Sequence, residues 1–149
     1  MPIDAESANP TTKVVAGEYF THVDDDAVRL RITECQDCES RWFPPVAICS
    51  RCAGTNVTDI DSGPTGVAYA STVVRVGPSG FPAPYVLSYV DIDGVRILAH
   101  TESESALTPD SPVRLGLREI GKKDGTTLLS YVARPLSDNV DAQIEGGLQ

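Results

Sequence analysis

Tyr85-Val-Leu-Ser-Tyr-Val-Asp-Ile-Asp-Gly-Val-Arg-Ile-Leu-Ala-His-Thr101 is the stretch from which the fold is read. Two strand-like runs flank Asp93-Gly94, and Asp-Gly supplies the positive φ angles that a tight hairpin turn requires. Downstream, Pro112 to Ile120 and Thr127 to Arg134 flank Gly121-Lys-Lys-Asp-Gly125, a second hairpin. Upstream, Gly63-Pro-Thr-Gly66 opens a strand over Val67 to Val76, and Gly77-Pro-Ser-Gly-Phe-Pro-Ala-Pro84 is a loop with fixed kinks. Five short strands in about 72 residues match a small Greek-key barrel of the OB type.

Further upstream, Val28, Leu30 and Ile32 alternate with Arg29, Arg31 and Thr33, the pattern of a half-buried strand. Gly17 to Val23 is expected as a short helix with Tyr19, Phe20 and Val23 on one side. Asp24-Asp25-Asp26 ends it, and without an EF-hand pattern this triplet reads as a solvated turn. Residues 1–15 and 136–149 are polar and lack a period, so both are expected as disordered ends. The expected organisation is therefore mainly β: an arm over 1–15, a short helix with a rubredoxin-like zinc ribbon over 16–60, a five-stranded OB-fold barrel with its own core over 61–135, and a tail over 136–149.

Length and composition agree with this plan. The 149 residues are 41% apolar and 22% charged, enough for a modest core and too few for a large multi-domain enzyme. Twelve Gly, eleven Pro and only 6% aromatics favour turns and short strands over long helices. Net charge is −9, a poor match to phosphate backbones and anionic membrane surfaces. Most of it sits in the ends: between Val28 and Arg134, eleven Lys and Arg face twelve Asp and Glu. The longest uncharged stretch, Val76 to Val90, carries three prolines and is too short for a membrane helix. The first residues lack a basic region followed by an apolar run, so a soluble, cytoplasmic protein is expected.

All four cysteines fall in one window, Cys35-Gln-Asp-Cys38 and Cys49-Ser-Arg-Cys52. Each Cys-x-x-Cys knuckle places two sulfurs on one side of a tight turn, and two knuckles complete a tetrahedron. Such a site takes zinc, and four protein ligands leave no position for water, so the metal is structural. Iron in a rubredoxin-like electron carrier is the competing reading. Against it, Glu39 and Ala53 stand where such carriers usually have Gly. Between the knuckles lie Trp42 and Phe43, at least one of which is expected to cover the metal site, followed by Pro44-Pro45, which stiffens the segment and holds side chains outward at little entropic cost.

No catalytic constellation of the chain's own is found. A nucleophile needs an adjacent base, and the only histidines, His22 and His100, have no partner motif. Gly77-Pro78-Ser79-Gly80 lacks nucleophile-elbow spacing, and Gly63-Pro64-Thr65-Gly66 lacks the lysine of a phosphate loop. Asp91 and Asp93 alternate onto one face beside a turn and read as solvated. Single-stranded nucleic acid is the other open reading, with Tyr85, Tyr89, Tyr69 and Tyr131 stacking bases and Arg75, Arg96 and Arg114 supplying charge. The only basic cluster is Lys122-Lys123 in a turn, which weighs against it.

Taken in order, the two knuckles with Phe43-Pro44-Pro45 between them, then Gly63-Pro-Thr-Gly-Val-Ala-Tyr-Ala-Ser-Thr-Val-Val74, then Pro84-Tyr-Val-Leu-Ser-Tyr-Val-Asp-Ile-Asp-Gly-Val-Arg96 resemble the family called domain of unknown function thirty-five. The match covers about residues 16 to 135. It implies a zinc ribbon joined to an OB-fold. It further implies an accessory subunit that docks on a thiolase-fold catalytic subunit, a thiolase or aldolase, as a hetero-oligomer. Contact with the CoA thioester is then made through the complex. The chain departs from the pattern at Glu39 and Ala53, at Val46 where Arg is usual, and at Asp110-Ser111 where Gly often precedes the penultimate strand. Trp42, Phe43, Pro44 and Pro45, with Phe81 in the proline-rich loop, are the expected partner contacts, since both segments are stiff and carry an aromatic anchor.

Overall fold

The computed structural model describes residues 11–136; residues 1–10 of the arm expected over 1–15 and 137–149 of the tail expected over 136–149 lie outside them. The described strands are β1 (Thr11–Val14), β2 (Phe20–Asp24), β3 (Ala27–Cys35), β4 (Arg41–Trp42), β5 (Val57–Asp61), β6 (Thr65–Val74), β7 (Tyr85–Ile92), β8 (Val95–Thr101), β9 (Pro112–Lys123) and β10 (Thr126–Pro135). The last five close a barrel in the order β6-β7-β8-β10-β9 and back to β6. All these pairings are antiparallel except β8 with β10. This is the expected five-stranded OB-type barrel.

Local chemistry explains the hairpins. Asp93 and Gly94 adopt φ of 46° and 90°, both positive as the mirror-image two-residue turn demands. The second hairpin is tighter than the sequence reading: the ladder runs on through Lys122 and Lys123, and the turn is Asp124-Gly125 alone, at φ 51° and 81°. The same Asp-Gly pair decides it. Along β7, Val86, Ser88, Val90 and Ile92 are buried, while Tyr85, Leu87, Tyr89 and Asp91 face outward.

The expected helix over 17–23 is not formed. Gly17–Tyr19 makes one 3-10 turn, and the chain then enters β2, pairing Phe20 with Leu30 and His22 with Val28. Seven residues cannot support helix nucleation, whereas a hairpin onto a nine-residue strand gains ladder hydrogen bonds and buries Phe20. Asp24 Oδ1 accepts from the Asp26 N–H at 2.8 Å and closes that hairpin. Its carboxylates are exposed, yet its backbone is anchored: Leu117 N–H donates to the Asp25 carbonyl and Arg114 Nε to the Asp26 carbonyl. Residues 11–14, expected within a disordered arm, pair in parallel with β10 from Thr126 to Leu129, an edge that β8 leaves free. Every β1 side chain is exposed, so backbone hydrogen bonding holds it, and polar composition does not reveal that.

The ribbon strand β3 enters the barrel's core. Val28, Leu30 and Ile32 are fully buried and form one cluster with Val90, Ile92, Ile97, Val113 and Leu115. The connector reinforces the join: Ser62 Oγ accepts from Leu30 N–H at 2.9 Å, and Ser62 N–H donates to the Leu30 carbonyl. The barrel thus has no separate core of its own. Leu30→Ala is expected to cost about 3 kcal/mol. Ribbon and barrel should then melt in a single transition by both near-UV circular dichroism and tryptophan fluorescence, whereas two transitions would show separate cores.

Candidate metal centre

β3 delivers Cys35 to the site at its last residue, and two matching turns set the other three sulfurs. In the first knuckle Glu39 N–H donates to the Cys35 carbonyl at 2.8 Å, and Cys35 N–H to the Ser40 carbonyl at 2.8 Å. In the second, Ala53 N–H donates to the Cys49 carbonyl at 2.8 Å, and Cys49 N–H to the Gly54 carbonyl at 2.9 Å. Both turns need a left-handed residue after the second cysteine, and Glu39 (φ 66°) and Ala53 (φ 63°) occupy those positions. A side chain there costs about 1 kcal/mol relative to the ordinary right-handed conformation. Asp110, the third departure from the family pattern, also has positive φ, 70°.

The four sulfurs lie within 4.8 Å of one another. Cys35 and Cys52 are 3.6 Å apart, Cys38 and Cys49 3.5 Å. Thiolates on one tetrahedral ion at about 2.3 Å have edges of about 3.8 Å, whereas a disulfide requires about 2.05 Å. All four cysteines are free thiols, so the arrangement is that of a metal cage and not of two cross-links.

Donors surround the sulfurs. The Cys52 backbone amide, followed by that of Arg51, outweighs burial and holds the Cys49 thiol down to about 6. The Ser40 hydroxyl and amide lower Cys38. The Gly54 amide pulls Cys52 down, but the neighbouring Cys35 thiol and burial outweigh it and push the group up to about 12. Four sulfurs this close cannot all be anionic without a cation among them. Among the described residues, Trp42 Nε1 is the one buried side-chain polar atom without a well-formed hydrogen bond. It sits beside Cys49 and favours its thiolate. A neutral thiol is a weak acceptor, so the orphaned indole N–H fits a metal-bound sulfur.

The expected partner contacts are placed differently from the outward display that the prolines implied. Trp42 turns toward Cys49. Phe43 packs on the shared core, edge-on to Tyr19 and Tyr131 with ring centroids 6.1 Å from each. Pro44 is exposed and Pro45 half-buried. Phe81 stacks on His100 at 5.8 Å and covers Gly121, where a Cβ would meet its ring at 2.8 Å. Large aromatics beside gaps in a small core gain more from burial than from display.

Other singled-out residues also have structural partners. Tyr85 also stacks on His100, at 5.0 Å, and burial lowers that imidazole's pKa. Asp91 takes a bidentate bond from Arg96 at 2.6 and 3.0 Å, and Asp93 accepts from Gly63 N–H at 2.6 Å. His22 packs edge-on to Phe20. The sequence reading missed the apolar outer face where Val67 and Leu98 join Tyr69 and Tyr89. Its signal was present: apolar residues at the outward positions of strands that otherwise alternate.

Fold and site together define a class, a β protein in which a four-thiolate ribbon shares its core with an OB barrel. Residues 59–118 match the family model described as ChsH2, C-terminal OB-fold domain. A solved structure titled "Ltp2-ChsH2(DUF35) aldolase" is similar with a TM-score of 0.56 and 26% identity, over 72% of this chain and 84% of that one. A search of curated proteins finds no match. Both matches support the resemblance to the domain of unknown function thirty-five family that its motifs carry.

The strained turns yield a direct prediction. Glu39→Gly and Ala53→Gly each relieve a left-handed side chain, a gain only partly offset by the extra freedom of Gly in the unfolded chain. Each should stabilise the metal-loaded ribbon by about 0.5 kcal/mol and slow metal loss to a chelator. Faster loss would show that these side chains support the knuckles.

Proposed function

We propose that this chain is a zinc-binding, non-catalytic accessory subunit of an acyl-CoA enzyme complex. It docks on a thiolase-fold catalytic subunit that makes or breaks a carbon–carbon bond, forming a hetero-oligomer in the cytoplasm. The observation that carries this reading is the likeness of 72% of this chain to a chain of the structure titled "Ltp2-ChsH2(DUF35) aldolase", supported by the ChsH2-type barrel match. Among the described residues no helix is long and apolar enough to cross a membrane.

Cys35, Cys38, Cys49 and Cys52 hold the zinc, with Trp42 Nε1 and the Arg51 N–H, 3.4 Å from Cys49 Sγ, as donors to sulfur. A bound zinc clamps the two knuckles and, fully ligated by protein, offers no position for a reacting water. Non-catalysis is supported by the company the titratable groups keep: His100 is stacked on by Phe81 and Tyr85, and Asp91 and Asp93 are committed to Arg96 and Gly63. Nucleic-acid binding is less well supported, because Arg96 and Arg114 are committed to Asp91 and the Asp26 carbonyl. Contact with the CoA thioester is made at the junction with the catalytic subunit.

Metal analysis of the purified protein should return about one zinc per chain, and Cys35→Ser should lose it together with the ribbon's fold, because binding energy in such modules is folding energy. Stoichiometric iron with reversible redox colour would instead make it an electron carrier. The isolated chain should turn over no acyl-CoA substrate, while adding it to its catalytic subunit should raise that subunit's stability or activity. Turnover by the chain alone, abolished in His100→Ala, would overturn the accessory role.

A further inference from the structure

Four of the large apolar side chains that remain exposed, Val67, Tyr69, Tyr89 and Leu98, gather on one outer face of the barrel, the last three each about half exposed at 50%, 48% and 49%. The ladder makes them neighbours. Tyr89 stands opposite Leu98, Ala70 opposite Tyr89, and Val67 opposite Asp91. A shallow groove of about 290 Å³ runs between Ala70, Thr72, Leu87, Tyr89 and Leu98. With aromatic side chains of about 150–250 Å² each, the patch shows on the order of 300 Å² of apolar surface, the size that marks a functional patch on a monomer and the centre of a standard interface.

We propose that this face of β6, β7 and β8 seats the catalytic subunit, an assignment that rests on the accessory reading above. The charges describe the occupant. At the rim Arg96 is neutralised by Asp91, and its guanidinium lies 3.4 Å over the Tyr69 ring, which fixes both side chains before docking. No unpaired cation at the centre invites a polyanion. A second copy would bring another pair of acidic ends, where most of the charge sits, and like charge opposes self-association. The fitting partner is a folded protein face, apolar at its centre and neutral to basic at its rim, against which tyrosines act as anchors. Phe43 and Phe81, expected to dock, are packed within the molecule, and four of the seven exposed large apolar side chains among the described residues lie on this face.

The full-length tagged chain is recovered from its native cells, the acyl-CoA enzyme subunit that accompanies it is identified by mass spectrometry, and the two purified proteins are recombined and titrated by calorimetry. Leu98→Glu and the milder Tyr89→Ala, both outward-facing, are confirmed to keep their metal and melting temperature. Each should weaken binding by at least tenfold, and Leu98→Glu by about a hundredfold. Val76→Glu, more exposed still at 91% but off this face, should bind as wild type. Folded Leu98→Glu and Tyr89→Ala binding as wild type would overturn the surface and leave the accessory reading standing. Recovery of no acyl-CoA enzyme subunit by the wild-type chain would overturn that reading and this occupant with it. A wild-type dimer that Leu98→Glu dissociates, without a subunit bound, would assign the face to a second copy.

Discussion

The structure depends on one strand doing three things at once. β3 ends in Cys35, one of the four clustered thiols; it pairs with β2, β4 and β5 along its edges; and it sends Val28, Leu30 and Ile32 into the barrel. An isolated ribbon of this size has too little apolar surface to fold on its own, which is why such modules lean on a metal. Here the ribbon leans on the barrel as well. The barrel in turn has its core completed by β3. Ser62, buried and bonded to both backbone groups of Leu30, makes the joint rigid.

That arrangement explains why the chain tolerates imperfect knuckles. Glu39 and Ala53 hold left-handed conformations that Gly would adopt freely, and the cost, about 1 kcal/mol each, is small beside the roughly 10 kcal/mol or more that a four-cysteine zinc site contributes. Asp110 does the same ahead of β9, where Asp is among the residues best able to visit that region. The three places where the sequence lacks an expected glycine are three places where the backbone still takes the glycine conformation. Geometry is retained and residue identity is not.

Legibility followed locality. Asp93-Gly94, the alternation of Val28, Leu30 and Ile32, and the cysteine spacing are each decided within a few residues by turn chemistry, pleat or ligand geometry, and all three are as read. The segment from Gly17 to Asp24 was not legible, because β3 and β9 decide its structure and neither is adjacent to it in the chain beyond the hairpin itself. Thr11–Val14 was hidden for a related reason: a free stretch of β10 edge binds any extended backbone. For the aromatics between the knuckles two readings stood side by side, a cover for the sulfurs and an outward display on stiff proline; Trp42 lies beside Cys49, Phe43 packs on the core, and Phe81 stacks on His100.

The account's central claim is that ribbon and barrel are one cooperative body joined through β3. Hydrogen exchange of the metal-loaded and chelated protein tests it at the level of single amides. Removing the metal should lower protection at Leu30 and Ile32 and, in step, at Ile97 and Ala99 in β8, whose side chains share the same cluster. If β8 amides keep their full protection while those of β3 exchange freely, the barrel stands alone and the claim is wrong.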